Sequence, residues 1–438
     1  MLTAAGAAAY DESNLIRLPR MIHSKVTSLR PMQKAQLPRP VLLCLATFLS
    51  LTILSGLQLF IFHLSHPLID SLDLLFPGLW KGWDILCFQG RFYYFRTADF
   101  FDYLGQPFNY PAPIALVLAA IYRLPFTSPH IFLVAFLTWV ITSGALFVRA
   151  CARLGVDAGE AATFTAAMVL LGFPTLLLLF LCNLELLVWV VLSIGVWAFC
   201  TRRNWLAAIC FGIAASLKYF PLLFLGIFPL RKEWPRIVAG VATCVASLFL
   251  STWILGPSLR IAIAGLRADT QNFAEHYLEH WLHTENGVDH SLFALVKATL
   301  LHVHHLDLVP KALPIYTATV FVGFVATYFL FIRRLPALNQ LIAISIAAVW
   351  IAPLSHDYTL VNLYAPCGAL TLYAIEKPAA RGLNAMFICI GVVFASLTFV
   401  QFRGIAYGGQ IRCLALGLLF ALVLRYEMPW VALDEGRA

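Results

Sequence analysis

The stretch PVLLCLATFLSLTILSGLQLFIFH, residues 40–63, contains no Asp, Glu, Lys or Arg. A helix that crosses a bilayer needs about 20 apolar residues, so we expect a membrane-spanning helix here. Further apolar runs occupy residues 130–148, 161–181, 184–200, 237–255, 313–332, 337–354, 359–375, 383–401 and 410–425. These runs are continuous rather than alternating, which favours helices over a barrel. The sequence therefore predicts an all-α, polytopic bundle with about 10–12 membrane segments.

The composition indicates that lipid is the solvent of this chain. Of its 438 residues, 61% are hydrophobic and only 12% are charged, whereas soluble domains carry about 25% charged residues. The net charge of +8 comes from Lys and Arg in short clusters between apolar runs. The positive-inside bias produces such clusters, so we expect no nucleic-acid partner. The ten cysteines form no Cys-x-x-Cys pair, and we interpret them as small apolar side chains rather than a disulfide or zinc framework.

The basic clusters also assign the two sides of the membrane. Residues 1–39 are polar and basic, which predicts a cytoplasmic, disordered segment. Residues 40–430 should then form a single membrane domain. Following the alternation of sides along the chain puts two long loops, 64–129 and 256–312, on the outer face.

Two segments interrupt the pattern of crossings. Residues 111–124 are short and begin with prolines, and residues 205–230 are interrupted by Lys218 and Pro221. The basic clusters fit if the first segment dips into the outer leaflet and the second re-enters from inside. The alternative makes both segments full crossings. Broken helices at membrane depth are tolerated only where they line protein or a cavity, so both segments are functional candidates.

The first outer loop combines carboxylates with aromatic rings and amides. Its polar and aromatic members include Asp84, Tyr93, Tyr94, Asp99, Asp102, Asn109 and Tyr110. One interpretation is an interfacial aromatic belt with solvated acids. The other is a sugar-binding surface, because a pyranose has one apolar face and a rim of hydroxyl groups. The residues alone leave both interpretations open.

Polar groups also stand at the ends of apolar runs. Asn183 and Glu185 begin a helix, where an ionisable residue is costly and indicates function. Helix capping by Asn183, with Glu185 in the first turn, is the competing explanation. Lys218 needs an anionic partner, and a lipid phosphate would be a suitable one. The alternative is a lysine near an interface in a differently threaded helix.

The segment Ser355-His356-Asp357-Tyr358 is a further polar cluster between two apolar runs. It is either an interhelical turn or a site where His356 donates to a phosphate or holds a carboxylate. Arg403, near the start of the last helix, is a second candidate cation.

Together these pieces resemble glycosyltransferase family 87, over roughly residues 80–370. The motifs that carry the resemblance follow one order along the chain. They are Asp84 with Tyr93-Tyr94, Phe108-Asn109-Tyr110-Pro111-Ala112-Pro113, Asn183-Leu184-Glu185, Gly212 to Lys218-Tyr219-Phe220-Pro221, His290-Ser291-Leu292 and Ser355-His356-Asp357-Tyr358. Each motif is short, but their order along a polytopic chain is specific.

The resemblance implies a GT-C fold, with outer loops over a cavity open to lipid. It implies transfer of a hexose such as mannose from a polyprenyl-phosphate-linked donor to a glycolipid or glycan acceptor, in the cell membrane and on its outer face. The implied base is Asp84, with Asp99 and Asp102 as alternative acids. The donor-phosphate partners would be Lys218, His356 and Arg403, and the substrate-binding residues Tyr93, Tyr94, Asn109, Tyr110, Asn183, Glu185, Ser291 and Asp357. Single displacement would invert the anomeric centre, and no Asp-x-Asp pair indicates a metal, so we expect no cofactor.

Two other classes of protein fit the same chain. A transporter would explain broken helices and intramembrane charges, although the sequence shows no inverted repeat. A lipid-carrier flippase or a non-catalytic subunit of the same fold would bind the same carrier without transferring a sugar.

Overall fold

The chain forms an all-α, polytopic membrane protein, as the apolar runs predicted. The computed structural model describes residues 36–65, 82–101, 108, 110–124, 128–229, 232–280, 287–397, 400–402 and 405–430. Its first eight helices are α1 (Arg39–Ser65), α2 (Trp83–Leu86), α3 (Ala112–Ile121), α4 (Ser128–Arg153), α5 (Ala158–Leu170), α6 (Phe173–Leu181), α7 (Glu185–Cys200) and α8 (Asn204–Leu217). The others are α9 (Trp234–Leu255), α10 (Leu259–His280), α11 (Leu292–His302), α12 (Val309–Leu330), α13 (Ala337–Trp350), α14 (Tyr364–Glu376), α15 (Leu383–Phe394) and α16 (Gly408–Arg425).

The longest apolar helices are the candidates for complete crossings. Within the described part of the chain, five helices are long and apolar enough to span a membrane, namely α1, α4, α9, α12 and α16. The pair α5 and α6 makes a sixth candidate, but its two helices are bent by 52°. The run 161–181, predicted as one crossing, is therefore a broken one.

The bend between α5 and α6 lies at Gly172, against the side chain of Tyr364 from α14. A Cβ atom at Gly172 would collide with the carbonyl oxygen of Met168 and the hydroxyl of Tyr364. Tyr364 donates to that carbonyl at 2.9 Å and is also hydrogen-bonded to the hydroxyl of Thr175 at 2.9 Å. Pro174, in the first turn of α6, removes a further backbone donor. The side chain of Tyr364 thus supplies a partner where the break leaves a helix carbonyl free.

Several predicted crossings are shorter than their apolar runs. The helices α7, α13, α14 and α15 contain 16, 14, 13 and 12 residues. A 14-residue helix is about 21 Å long, less than the hydrocarbon thickness of about 30 Å. α15 ends at Phe394, and a hairpin follows in which β1 (Gln401–Phe402) pairs antiparallel with β2 (Ile405–Ala406). The expectation of a helix throughout 383–401 is therefore wrong.

Helix α13 forms the centre of the bundle. Every residue from Ala337 to Val349 is buried, including Asn339 and Gln340, whose side-chain amides donate to backbone carbonyl groups. It packs against α14, α16 and the 3-10 segment Phe220–Ile227. This arrangement surrounds one helix with protein rather than with lipid.

The predicted interruption at Lys218 is present. Helix α8 ends at Leu217, Lys218 adopts an extended backbone, and the 3-10 segment Phe220–Ile227 follows. α8 lies very close to α9 at Gly212. A Cβ atom at this position would collide with the backbone of Gly240. This contact fixes the end of α8, and with it the position of Lys218.

The two predicted outer loops contain helices of their own. In the first loop, α3 has 10 residues, about 15 Å in length, so it is too short to cross a bilayer. The second loop, residues 256–312, contains α10 and α11.

Candidate active site

Asp84 is held against the turn between α6 and α7. The backbone N–H of Gly82 donates to the carbonyl oxygen of Phe180 at 2.9 Å, which attaches α2 to the end of α6. Asp84 is partly exposed, and its Oδ2 accepts a hydrogen bond from Asn183 Nδ2 at 2.6 Å. The same Nδ2 lies 3.3 Å from the hydroxyl of Tyr110. The first outer loop and a distant helix junction therefore meet at one carboxylate.

The orientation of the Asn183 amide is set by the backbone. Cys182 adopts the left-handed conformation with φ of 51° and ends α6. Asn183 Oδ1 accepts the backbone N–H of Glu185 at 2.7 Å, which satisfies one of the free donors at the start of α7. Because the oxygen is used in this way, the NH₂ group must face Asp84. Asn183 thus supports the helix start, as the capping interpretation held, and also contacts the candidate base.

Glu185 forms the second charged contact of this turn. It is fully buried and forms an ion pair with Lys218 Nζ through Oε2. Its Oε1 accepts from Asn362 Nδ2 at 2.6 Å. The predicted anionic partner of Lys218 is therefore Glu185 within the protein itself. The side chain of Lys218 is 23% exposed, so the protein does not enclose it completely.

The segment Ser355–Leu363 closes the other side of the cluster. The hydroxyl of Tyr358 lies 3.1 Å from His356 Nδ1, and the Tyr358 ring centre is 5.1 Å from Lys218 Nζ. Residues Asp357–Leu363 form a 3-10 helix. The predicted polar cluster is therefore an ordered element that contacts Lys218.

Asp357 is buried and has a partner on each oxygen. Its Oδ1 lies 3.0 Å from His290 Nδ1, and its Oδ2 accepts from Arg412 Nη1 at 2.6 Å. His290 Nε2 is in turn 3.1 Å from the hydroxyl of Ser355. All four side chains are buried. Asp357 therefore supports the segment from inside, and its predicted role in substrate binding remains a prediction.

The second outer loop pairs with the same segment. Asp289 and His356 form an antiparallel bridge, and Asp289 forms a buried ion pair with Lys297. Burial alone would raise the pKa of Asp289, but Lys297 and the N–H of Ser291 outweigh it, so that pKa lies below its ordinary value. The hydroxyl of Ser291 accepts the N–H of Ala294 at 3.0 Å and so caps α11. Ser291, predicted to bind substrate, has this structural contact.

The aromatic part of the first loop lies beside α2. A cavity of about 230 Å³ is lined by Phe92, Tyr93, Tyr122 and Arg123, among others. The hydroxyl of Tyr122 contacts the carbonyl oxygen of Ile85, so one wall of the cavity touches the helix that carries Asp84. Tyr93 is 83% exposed, which leaves its ring accessible at this cavity.

The other predicted residues of the first loop are either exposed or lie outside the described residues. Tyr94 and Asp99 are exposed, and in the described ranges Asp99 has no hydrogen bond or ion pair with the Asp84 cluster. Asp102, Asn109 and Arg403 lie outside the described residues, so their predicted roles remain predictions.

The sequence model of glycosyltransferase family 87 matches residues 108–355, more than half of the chain. The chain belongs to glycosyltransferase family 87. No curated protein and no solved structure matches it. The match is narrower than the region of resemblance. It contains Asn183, Glu185 and Lys218, whereas Asp84 and Arg412 lie outside it.

In this family 87 glycosyltransferase, three residues contact the predicted site residues but were not themselves predicted as site residues. Asn362, His290 and Arg412 are buried and contact Glu185 or Asp357. A usable signal existed for Arg412, because it is an isolated cation inside the apolar run 410–425, where an ionisable group indicates function. Asn362 gave no comparable signal, since amides are common near helix starts.

The charges of the site separate into an acid end and a cation end. At the acid end, burial and then the charge of Asp84 raise the pKa of Tyr110 well above its ordinary value, so its phenol stays protonated. At the cation end lie Lys218 and His356. Over the residues that the structure describes, no group of three or more His, Cys, Asp or Glu side chains could hold a metal ion. The Asn183–Glu185 turn of this family 87 chain therefore contacts both Asp84, the candidate base, and Lys218.

Proposed function

We propose that this membrane glycosyltransferase moves a hexose, with mannose as the proposed sugar, from a polyprenyl-phosphate-linked donor to a glycolipid or glycan acceptor. The observation that carries the proposal is the Asn183–Glu185 turn, which holds Asp84 at one residue and Lys218 two residues later. Transfer from a sugar phosphate needs a base for the acceptor and a cation for the leaving group. The turn brings both groups together, which fits the GT-C arrangement.

The acid end would activate the acceptor. An acceptor hydroxyl is a poor nucleophile until a carboxylate removes its proton during attack. Asp84 takes that proton while the hydroxyl oxygen forms a bond to the anomeric carbon. The bond from that carbon to the phosphate oxygen breaks, and its electron pair leaves with the lipid phosphate. A single displacement of this kind inverts the anomeric centre.

The cation end would stabilise the departing phosphate. Negative charge develops on the phosphate oxygen, and a fixed cation aimed at it lowers the barrier. Lys218 has three N–H donors, so it can stay bound to Glu185 and still donate to a phosphate oxygen. His356 and Arg403 complete the proposed phosphate contacts.

The acceptor and the side of the membrane complete the proposal. The exposed ring of Tyr93 and the cavity beside α2 would bind an acceptor sugar through its apolar face, while membrane lipids surround the bundle. The two predicted outer loops and the junctions at Asn183 and His356 converge on one cluster. This convergence supports an active site on the extracytoplasmic face of the cell membrane.

The test is sugar transfer by the purified full chain in proteoliposomes, with polyprenyl-phosphate-[¹⁴C]mannose and a mixture of glycolipid acceptors. We expect transfer by the wild type and a loss of about 10²- to 10⁴-fold in Asp84→Asn, the usual contribution of a general base. Asp99→Asn is the matched control, because Asp99 is an exposed acid of the same loop. Loss in Asp99→Asn with full activity in Asp84→Asn would refute the base assignment. Carrier lipid that is bound or moved across the bilayer without sugar transfer would favour a flippase instead.

A further inference from the structure

Arg412 lies inside α16, a helix long and apolar enough to cross the membrane, yet its side chain is fully buried in protein. Its Nη1 donates to Asp357 Oδ2 at 2.6 Å, and its Nη2 donates to the carbonyl oxygen of Ala395 at 2.7 Å. Its guanidinium carbon lies 4.6 Å from the ring centre of Phe173. One side chain therefore connects α16, the end of α15, the start of α6 and the Ser355–Leu363 segment.

Stability alone is a poor reason for such a pair. Removing two charges from water is costly, and replacing a buried ion pair with apolar residues of similar volume is often neutral or stabilising. What the Arg412–Asp357 pair adds is direction, because a planar guanidinium binds its acceptors in a fixed geometry. Asp357 is held from the opposite side by His290, so both carboxylate oxygens are fixed.

The segment held in this way reaches the active site at two places. Near its start, His356 and Tyr358 are hydrogen-bonded together, and the Tyr358 ring faces Lys218. Near its end, Asn362 donates to Glu185, the ion-pair partner of Lys218. The position of Asp357 thus determines the surroundings of Lys218 from two sides.

A different role for the same side chains can be considered. Ser355, His290 and Asp357 are hydrogen-bonded in the order of a hydrolase triad, with hydroxyl to Nε2 and Nδ1 to carboxylate. However, Ser355 is 3% exposed, and its hydroxyl is shared with Thr359 at 2.9 Å. A nucleophile must reach its substrate, so these contacts favour a supporting role over covalent catalysis.

We propose that Arg412 is a positioning residue for sugar transfer, acting through Asp357 to hold His356 and Asn362 in place beside the Glu185–Lys218 pair. This inference rests on the proposed function. It goes beyond the family assignment, because Arg412 lies outside the matched residues 108–355. Arg412 itself need touch neither donor nor acceptor.

The first measurement compares Arg412→Lys with wild type in the proteoliposome transfer assay. Lysine keeps the charge, but its ammonium group cannot bind Asp357 and the Ala395 carbonyl in the planar geometry of a guanidinium. A misplacement of about 1 Å can cost about 100-fold in rate. We therefore expect kcat to fall roughly 10- to 100-fold with KM for the donor little changed. Arg425→Lys, at the far end of the same helix, is the matched control and should behave as wild type.

The second measurement shows whether Arg412 acts through the segment. Residues that act as one unit give non-additive effects. We expect Arg412→Lys to add little to the loss caused by His356→Ala, and amide hydrogen exchange in residues 355–363 to increase. Multiplicative losses, or unchanged exchange in that segment, would overturn the proposal.

Further outcomes separate this inference from the proposed function. No sugar transfer by wild type would refute the proposed function, whereas normal transfer by a folded Arg412→Lys would refute only the positioning role. If Arg412→Lys does not fold, Asp357→Asn replaces it, because asparagine keeps the shape while removing the charge. Asp357→Asn should then show the same fall in kcat. If both variants lose the folded state, Arg412 serves stability alone and the proposal fails.

Discussion

Replacing Asn183 with aspartate would convert one contact of the candidate base from attraction to repulsion. In the wild type, Asn183 donates to Asp84 through Nδ2 and accepts from the Glu185 backbone through Oδ1. Asn183→Asp keeps the oxygen that accepts the backbone N–H, so the start of α7 retains its support. It replaces the NH₂ group with a second carboxylate oxygen that faces Asp84.

The size of the effect follows from the geometry. The contact is 2.6 Å between Nδ2 and Oδ2, so the two charge centres of the variant would be about 4 Å apart, and an effective dielectric constant of about 20 gives a repulsion of about 4 kcal/mol. Asp84 is partly exposed, and solvent screening reduces this to about 2 kcal/mol. Since about 1.4 kcal/mol corresponds to one pH unit, the acid limb of the rate profile should move up by roughly 1.5 pH units.

The assay is the pH dependence of kcat/KM, which reports the essential groups of the free enzyme. We expect Asn183→Asp to lose most of its activity on the acid side and to recover at alkaline pH, where both carboxylates ionise. Asn183→Ala removes the donor without adding a charge, so its loss should not be rescued by pH. The matched control is Asn204→Asp, because Asn204 Nδ2 also donates to a carboxylate, Glu233, at 3.0 Å but at the start of α8.

An unchanged acid limb in a folded Asn183→Asp variant would refute this reasoning. It would mean either that Asp84 is not the base or that the contact does not affect its ionisation. A similar displacement in Asn204→Asp would show that the effect is general to the fold.

Three further variants test the ion pairs and the helix packing. Lys218→Gln should destabilise the protein by about 3 kcal/mol, because it leaves Glu185 buried without its cation, and adding Glu185→Gln should restore the melting temperature but not transfer. Gly212→Ala should lower the melting temperature, because its Cβ would collide with the backbone of α9, whereas Gly323→Ala, with nothing within 4 Å, should not. The lowered pKa of Asp289 means that its contribution to stability is present above the pKa of the unfolded chain and is lost as pH falls through the folded value. Asp289→Asn should therefore flatten the acid side of the stability profile in thermal unfolding, and an equally steep acid side would contradict the assignment.

The membrane helices could be predicted where a segment is long and apolar enough to cross the bilayer by itself. Residues 40–63 and 237–255 correspond closely to α1 and α9, because a long run without charges must be a helix in a bilayer. The bend at Gly172 depends on the hydroxyl of Tyr364, far along the chain. Such a partner leaves no mark in the local sequence.

The sequence predicted which residues belong to the candidate site better than it predicted which of them contact each other. Asn183, Glu185 and Lys218 were identified because polar groups at the ends of apolar runs are costly, and the structure brings them together. The sequence pointed to a lipid phosphate for Lys218, whereas its partner in the structure is Glu185. The partner of Asp357 comes from α16. Which charge neutralises which is a property of tertiary packing, so the pattern of residues could not supply it.

The turn at Asn183–Glu185 limits the distance between the groups that bind Asp84 and Lys218. Two peptide units cannot extend beyond about 7 Å, so the anchor points of Asp84 and Lys218 on this turn are linked by covalent bonds rather than by the spacing of separate helices. Bilayers differ in thickness by several ångströms, and helices respond by tilting. A distance built into the polypeptide itself does not follow such tilting, so the enzyme should keep one reaction geometry in lipids of different chain length.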